Sequence, residues 1–214
     1  MLRHWLFWMV APALLGPWAC ATSFFFHQVH LSDERGWSHL SLVALYPAYT
    51  ASWIVSMVAA GWAVDRFGAA RLMSWYQLVY VACFLVMGLN TGLWAAAAGL
   101  VLMGIGAGAH AAIPPVFWAE VYGTRHLGAI RAMVAAIMVF GSALGPGITG
   151  WFIDRGVGFG DQMVWIAGWF ALTMLPLALA VSLVRRGSAL AAQIDIIGPG
   201  AAVLQAGRGD LQDR

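Results

Sequence analysis

Lysine is absent from this chain, and charge of either sign is scarce. Only 9% of its 214 residues are charged, against roughly a quarter in an ordinary soluble domain. A soluble fold of this size would lack the polar residues needed to cover its surface. The net charge of +2 leaves no electrostatic footprint for nucleic acid, and no nucleic-acid partner is expected. Cysteine is nearly absent too. Cys20 and Cys83 both lie inside apolar runs, which excludes a disulfide framework and leaves small buried thiols. No Ser-His-Asp set, carboxylate pair or phosphate-cradling loop falls within reach of a shared site, so no enzyme activity and no cofactor are expected. His27, His30 and His39, with Asp33 and Glu34, match no compact zinc spacing, and no metal is expected.

What the chain does have is apolar length: 62% of its residues are hydrophobic. Six runs of about 18 or more residues carry almost no charge: roughly Trp5–Phe26, Leu40–Val64, Leu72–Leu89, Leu93–Trp118, Ala129–Ile153 and Met163–Val184. In lipid each must satisfy its own backbone hydrogen bonds, which makes them helices. The start Met-Leu-Arg-His with Ala19-Cys20-Ala21 has the outline of a signal peptide. The apolar run continues through Phe24, Phe25 and Phe26, so it is read as a span. The fold class is therefore all-α, with a six-helix transmembrane domain over residues 1–186. The Gly-, Ala- and Gln-rich stretch 187–214 is expected to be a disordered cytoplasmic tail.

All eleven basic residues are Arg. With the N-terminus inside, Arg3, Arg66, Arg71, Arg125, Arg131, Arg185, Arg186, Arg208 and Arg214 are cytoplasmic, leaving only Arg35 and Arg155 outside. The positive-inside rule favours that orientation, with both termini cytoplasmic and the chain integral to the cell (inner or plasma) membrane. Tryptophans such as Trp62, Trp94 and Trp151 fall near span ends as interfacial anchors do.

A charged turn after the second run reads Gly61-x-x-x-Asp65-Arg66-x-Gly68-x-x-Arg71. Gly68 permits a backbone reversal, and Asp65, at a helix end, can accept bonds from a neighbouring helix N-terminus. This turn resembles the cytoplasmic-loop signature of the major facilitator superfamily of membrane transporters, where it follows the second helix of a six-helix half. The resemblance extends over residues 5–186 and implies helices seven to twelve of a twelve-helix transporter, the C-terminal half. In that family the turn braces one half against the other. The segment Glu120-Val-Tyr-Gly123-Thr-Arg125-His126-Leu-Gly128 resembles the family's cytoplasmic loop before the eleventh helix.

Gly61-Trp-Ala-Val-Asp65-Arg66 recurs as Gly150-Trp-Phe-Ile-Asp154-Arg155, three spans later. An odd number of crossings inverts the second unit, as in the three-plus-three inverted repeat of facilitator halves.

Small residues four apart let helices approach closely; Gly141, Gly145, Pro146 and Gly150 in the fifth run are read as packing and kink positions. The stretch partly resembles the family's antiporter motif, but its glycine spacing is off by one, and antiport is not inferred. Gly104, Gly106 and Gly108 sit mid-span without a preceding strand, which rejects a dinucleotide loop. Pro114 and Pro115 are expected to bend or interrupt the fourth span.

Polar residues inside spans are candidates because lipid penalises them. His27, Gln28, Tyr46, Tyr49 and His110 are the transport-path candidates, followed by Gln77. The resemblance, in which the first and fourth helices of a half line the cavity, places His27, Gln28 and His110 on the substrate path. For His110 a helix–helix hydrogen bond stands beside that role. Arg131, one turn inside the fifth run, is expected to snorkel to the interface. The expected function is transport of a small solute, with membrane lipid around the chain and a missing N-terminal half, or a homodimer partner, completing the site. The alternative is a dimeric six-helix scaffold or sensor. Six further spans with a second such turn, encoded upstream, would separate the two. Substrate and coupling ion are not written in the residues.

Overall fold

The structure, a computed structural model, describes residues 5–123 and 127–209, with side chains described through 186. Arg3, Arg125 and Arg214 of the charge asymmetry lie outside the described residues. The stretch 187–214 lies outside the described side chains, its backbone running on as helix to Gly209. Among the described residues eight helices run in order: α1 Trp5–Arg35, α2 His39–Val43, α3 Tyr46–Phe67, α4 Ala69–Met73, α5 Gln77–Leu89, α6 Leu93–Tyr122, α7 Leu127–Ile153 and α8 Phe159–Gly209. Among the described residues there is no strand.

Six stretches are long and apolar enough to cross a membrane. They are α1; α2 with α3 (His39–Phe67); α4 with α5 (Ala69–Leu89); α6; α7; and α8 as far as Arg186. The protein is an all-α six-span bundle.

The spans obey an exchange of one with four, two with five and three with six. The closest pairings are the second span with the fourth and the first with the fifth, which exchange into one another. The third packs on the sixth, a pairing that maps onto itself. Burial follows the same rule: 56% of the apolar window in spans one and four, 11% and 17% in two and five, 39% and 33% in three and six. The second and fifth spans therefore present most of their apolar surface outward.

The repeated turns are built alike. Gly68 and Gly156 end them at φ 79° and 83°, a region open to glycine and strained for other residues. Arg66 lies 5.8 Å from the Trp62 ring centroid and Arg155 3.4 Å from that of Trp151. Each is the (i, i+4) cation–π pair that the G-W-x-x-D-R spacing sets up.

Two prolines are accommodated without breaking their helices. Pro17 deprives the Ala13 carbonyl of its helical donor, and the buried Gln77 Nε2 donates to it at 2.8 Å. Gln77 Oε1 in turn accepts from Thr173 Oγ1 at 3.1 Å. Pro146 deprives the Ser142 carbonyl in the same way, and Thr22 Oγ1 donates to that oxygen at 3.1 Å. Pro114 and Pro115 do not interrupt the fourth span, since α6 is continuous from Leu93 to Tyr122.

Candidate transport cavity

The glycines of α6 set the geometry of the site. A Cβ on Gly108 would lie 2.5 Å from the Trp53 carbonyl oxygen and 2.6 Å from the Met57 nitrogen, so only glycine admits α3 there. A Cβ on Gly106 would lie 2.8 Å from Cζ of Tyr80, whose ring stacks on Phe170 with centroids 4.8 Å apart. Gly104 meets Ser52 and the Tyr49 carbonyl. On the fifth span, Gly145 abuts the Ala19 carbonyl of α1.

These contacts leave a cavity of about 540 Å³ between the first, second, fourth and fifth spans, with Tyr80 of the third beneath it. Pro17, Trp18 and Ala21 come from α1, Tyr49 and Trp53 from α3. Met103, Ala107, His110, Ala111, Pro114, Pro115 and Trp118 come from α6, and Arg131, Val134, Ala135 and Met138 from α7. Ala111, Arg131 and Ala135 are exposed, so the cavity is open on one side.

His110 is buried at 5% exposure, and its Nδ1 lies 3.2 Å from the Tyr76 hydroxyl. With that hydroxyl donating, the ring proton sits on Nε2. Trp118 is 2% exposed, and its indole Nε1 has no hydrogen-bond partner among the described residues. Arg131 makes no ion pair or side-chain hydrogen bond among the described residues.

Of the candidates read from sequence, Tyr49 and His110 meet at this cavity. His27, Gln28 and Tyr46 lie outside its lining: His27 Nε2 is 3.0 Å from the Pro146 carbonyl oxygen, and the Tyr46 hydroxyl donates to Gln28 Oε1. Asp65 is exposed and makes no side-chain hydrogen bond among the described residues. The helix end beside it is held instead by Glu120, whose carboxylate accepts from the Ala69 and Ala70 amides at 3.0 and 3.2 Å. Arg131, Trp118 and Tyr80 are lining residues outside the candidates read from sequence, where Arg131 is an interfacial cation. The signal for Arg131 is a cation a full turn inside an apolar run; Trp118 and Tyr80 carry none.

The family model described as Major Facilitator Superfamily matches residues 5–198, which include all six spans. The chain belongs to the major facilitator superfamily. No curated protein matches it. As a superfamily chain it carries the charged turn, Gly61 to Arg71, at the end of its second span. Among the described residues, no three His, Cys, Asp or Glu side chains gather as a metal set.

Proposed function

We propose that the chain is one half of a secondary transporter for a small solute and that its cavity is one wall of the solute path. The open cavity carries this reading: polar side chains, His110 and Arg131 among them, face a space that nothing in the six spans covers. Facilitator-type sites lie between pseudo-symmetric halves. The outward apolar faces of the second and fifth spans and the unengaged Asp65 are surfaces to which an N-terminal half would dock. The polar lining binds and orients a solute; no group in it is arranged for bond chemistry, and the chain is read as a transporter rather than an enzyme. His27, Gln28 and Tyr46 serve the bundle near its opposite end, while Tyr49 and His110 face the solute. The molecule sits in the cell membrane with both termini cytoplasmic.

The test is reconstitution. Purified chain in liposomes, offered labelled organic acids, sugars and amines, is expected to give no saturable uptake by itself. Co-reconstitution with a complementary six-span half restores it. Saturable uptake by the chain alone would assign the cover to a second copy of itself. A stable homodimer inert in both assays would favour a scaffold or sensor.

A further inference from the structure

We propose that the cavity selects an amphipathic organic anion, a small carboxylate whose acid group meets Arg131 and whose apolar body lies between Trp18, Trp53 and Trp118. The inference rests on the transporter reading only in taking this cavity as the solute site.

Four observations converge on it. The first is sign. The one cationic side chain in the lining is the guanidinium of Arg131, and the lining holds no carboxylate. A cation set in a mostly apolar wall, with no ion pair among the described residues, is stabilised by an anion brought to it. The second is hydrogen-bond polarity. Trp118 Nε1 is buried and has no partner among the described residues, and an indole N–H is a donor only, so what satisfies it is an acceptor. Arg131 likewise offers donors and no acceptor. With the Tyr76 hydroxyl donating to His110 Nδ1, the remaining ring nitrogen is a donor too. The third is the rest of the wall, which is aromatic, aliphatic and proline and suits an apolar body. The fourth is size: about 540 Å³ falls within the range of small-molecule sites, roughly 300–1,000 Å³.

The competing ligand is an organic cation held by the tryptophan and tyrosine faces. Arg131 decides against it, since a second cation brought beside the first is repelled.

Three probes share one body and differ in charge: 4-phenylbutyrate, 4-phenylbutyramide and 4-phenylbutylamine. Binding of each labelled probe to the full chain in lipid nanodiscs, alone and together with the complementary six-span half, is measured by scintillation proximity, and the outcomes are read on the form that binds most tightly. The acid is expected to bind at least tenfold more tightly than the amide, with the amine weakest. Arg131→Gln removes the preference for the acid, and Arg131→Lys keeps part of it, because a point charge persists without the planar fork. Trp118→Phe weakens acid and amide by a similar factor, since it removes one donor and leaves the charge. Helical circular dichroism and a monodisperse elution profile show that each variant is folded.

Equal affinity for the three probes, a preference for the amine, an Arg131→Gln variant that still prefers the acid, or no saturable binding would each overturn the proposal. The transport reading fails separately. Selective acid binding without uptake in any reconstitution leaves the anion site standing and removes transport. Uptake of the amine, abolished by Trp118→Ala, leaves transport standing and removes the anion site.

Discussion

Glu34 and Glu120 do the same work at opposite ends of the bundle. Glu34 closes α1 and accepts from the Phe159 and Gly160 amides at 2.7 and 3.0 Å. Glu120, near the end of α6, accepts from the Ala69 and Ala70 amides. Each carboxylate satisfies orphan donors at a helix N-terminus and opposes the positive end of its dipole. The two contacts exchange under the internal repeat, one joining spans one and six, the other four and three. We predict that Glu34→Ala and Glu120→Ala each destabilise the bundle by about 1–2 kcal/mol. The effect is larger at Glu34, because one amide facing Glu120 is exposed. Glu34→Gln retains part of the stabilisation, since its single carbonyl accepts without the charge. The two alanine effects add, as the sites share no partner. Denaturant unfolding in detergent, followed by circular dichroism, checks the order. Both glutamates are visible in the sequence as charges beside span ends. Their partners lie 125 and 51 residues away, so their roles are not.

At the scale of the element, helices here approach through glycine, and position within a turn decides which glycine matters. Gly145 faces α1, where a Cβ would press on the Ala19 carbonyl and lie 2.8 Å from Ser23 Oγ. Gly147, two residues on, has nothing within 4 Å of such a Cβ. We predict that Gly145→Ala lowers the thermal midpoint of the purified protein by forcing the first and fifth spans apart. Gly147→Ala is neutral or stabilising by up to about 1 kcal/mol, the helix-propensity difference. Equal effects would show that the two spans are not packed as described. The small-residue spacing is legible in the sequence. Which of these glycines faces the first span is a matter of helix rotation, and packing fixes that.

For the whole molecule, the arginine asymmetry sets a direction across the membrane that the helices by themselves do not mark. Ser38 and Phe67 are both exposed and lie at opposite ends of the second span. We predict that a cysteine at position 38 reacts with a membrane-impermeant thiol reagent in intact cells, and that a cysteine at position 67 reacts only after permeabilisation. The background carries Cys20→Ser and Cys83→Ser, both buried positions. The reverse pattern would overturn the orientation and place the Asp65 turn outside.

Six spans, helix as their only form, the charged turn and the inverted repeat are all written in the sequence. Each depends on local properties: apolar length against bilayer thickness, the glycine reversal, and a spacing that recurs three spans later. The cavity is not written there. Its wall takes residues from five spans, and their meeting depends on how closely α6 approaches α3 and α7 approaches α1. The same is true of the proline defects. Pro17 and Pro146 announce kinks, but only the packed bundle brings Gln77 and Thr22 to the carbonyls they leave open. Arg131 makes the difference sharpest: as a sequence position it is a cation near a membrane interface, and only the rotation of α7 in the fold turns it toward Trp118 and His110.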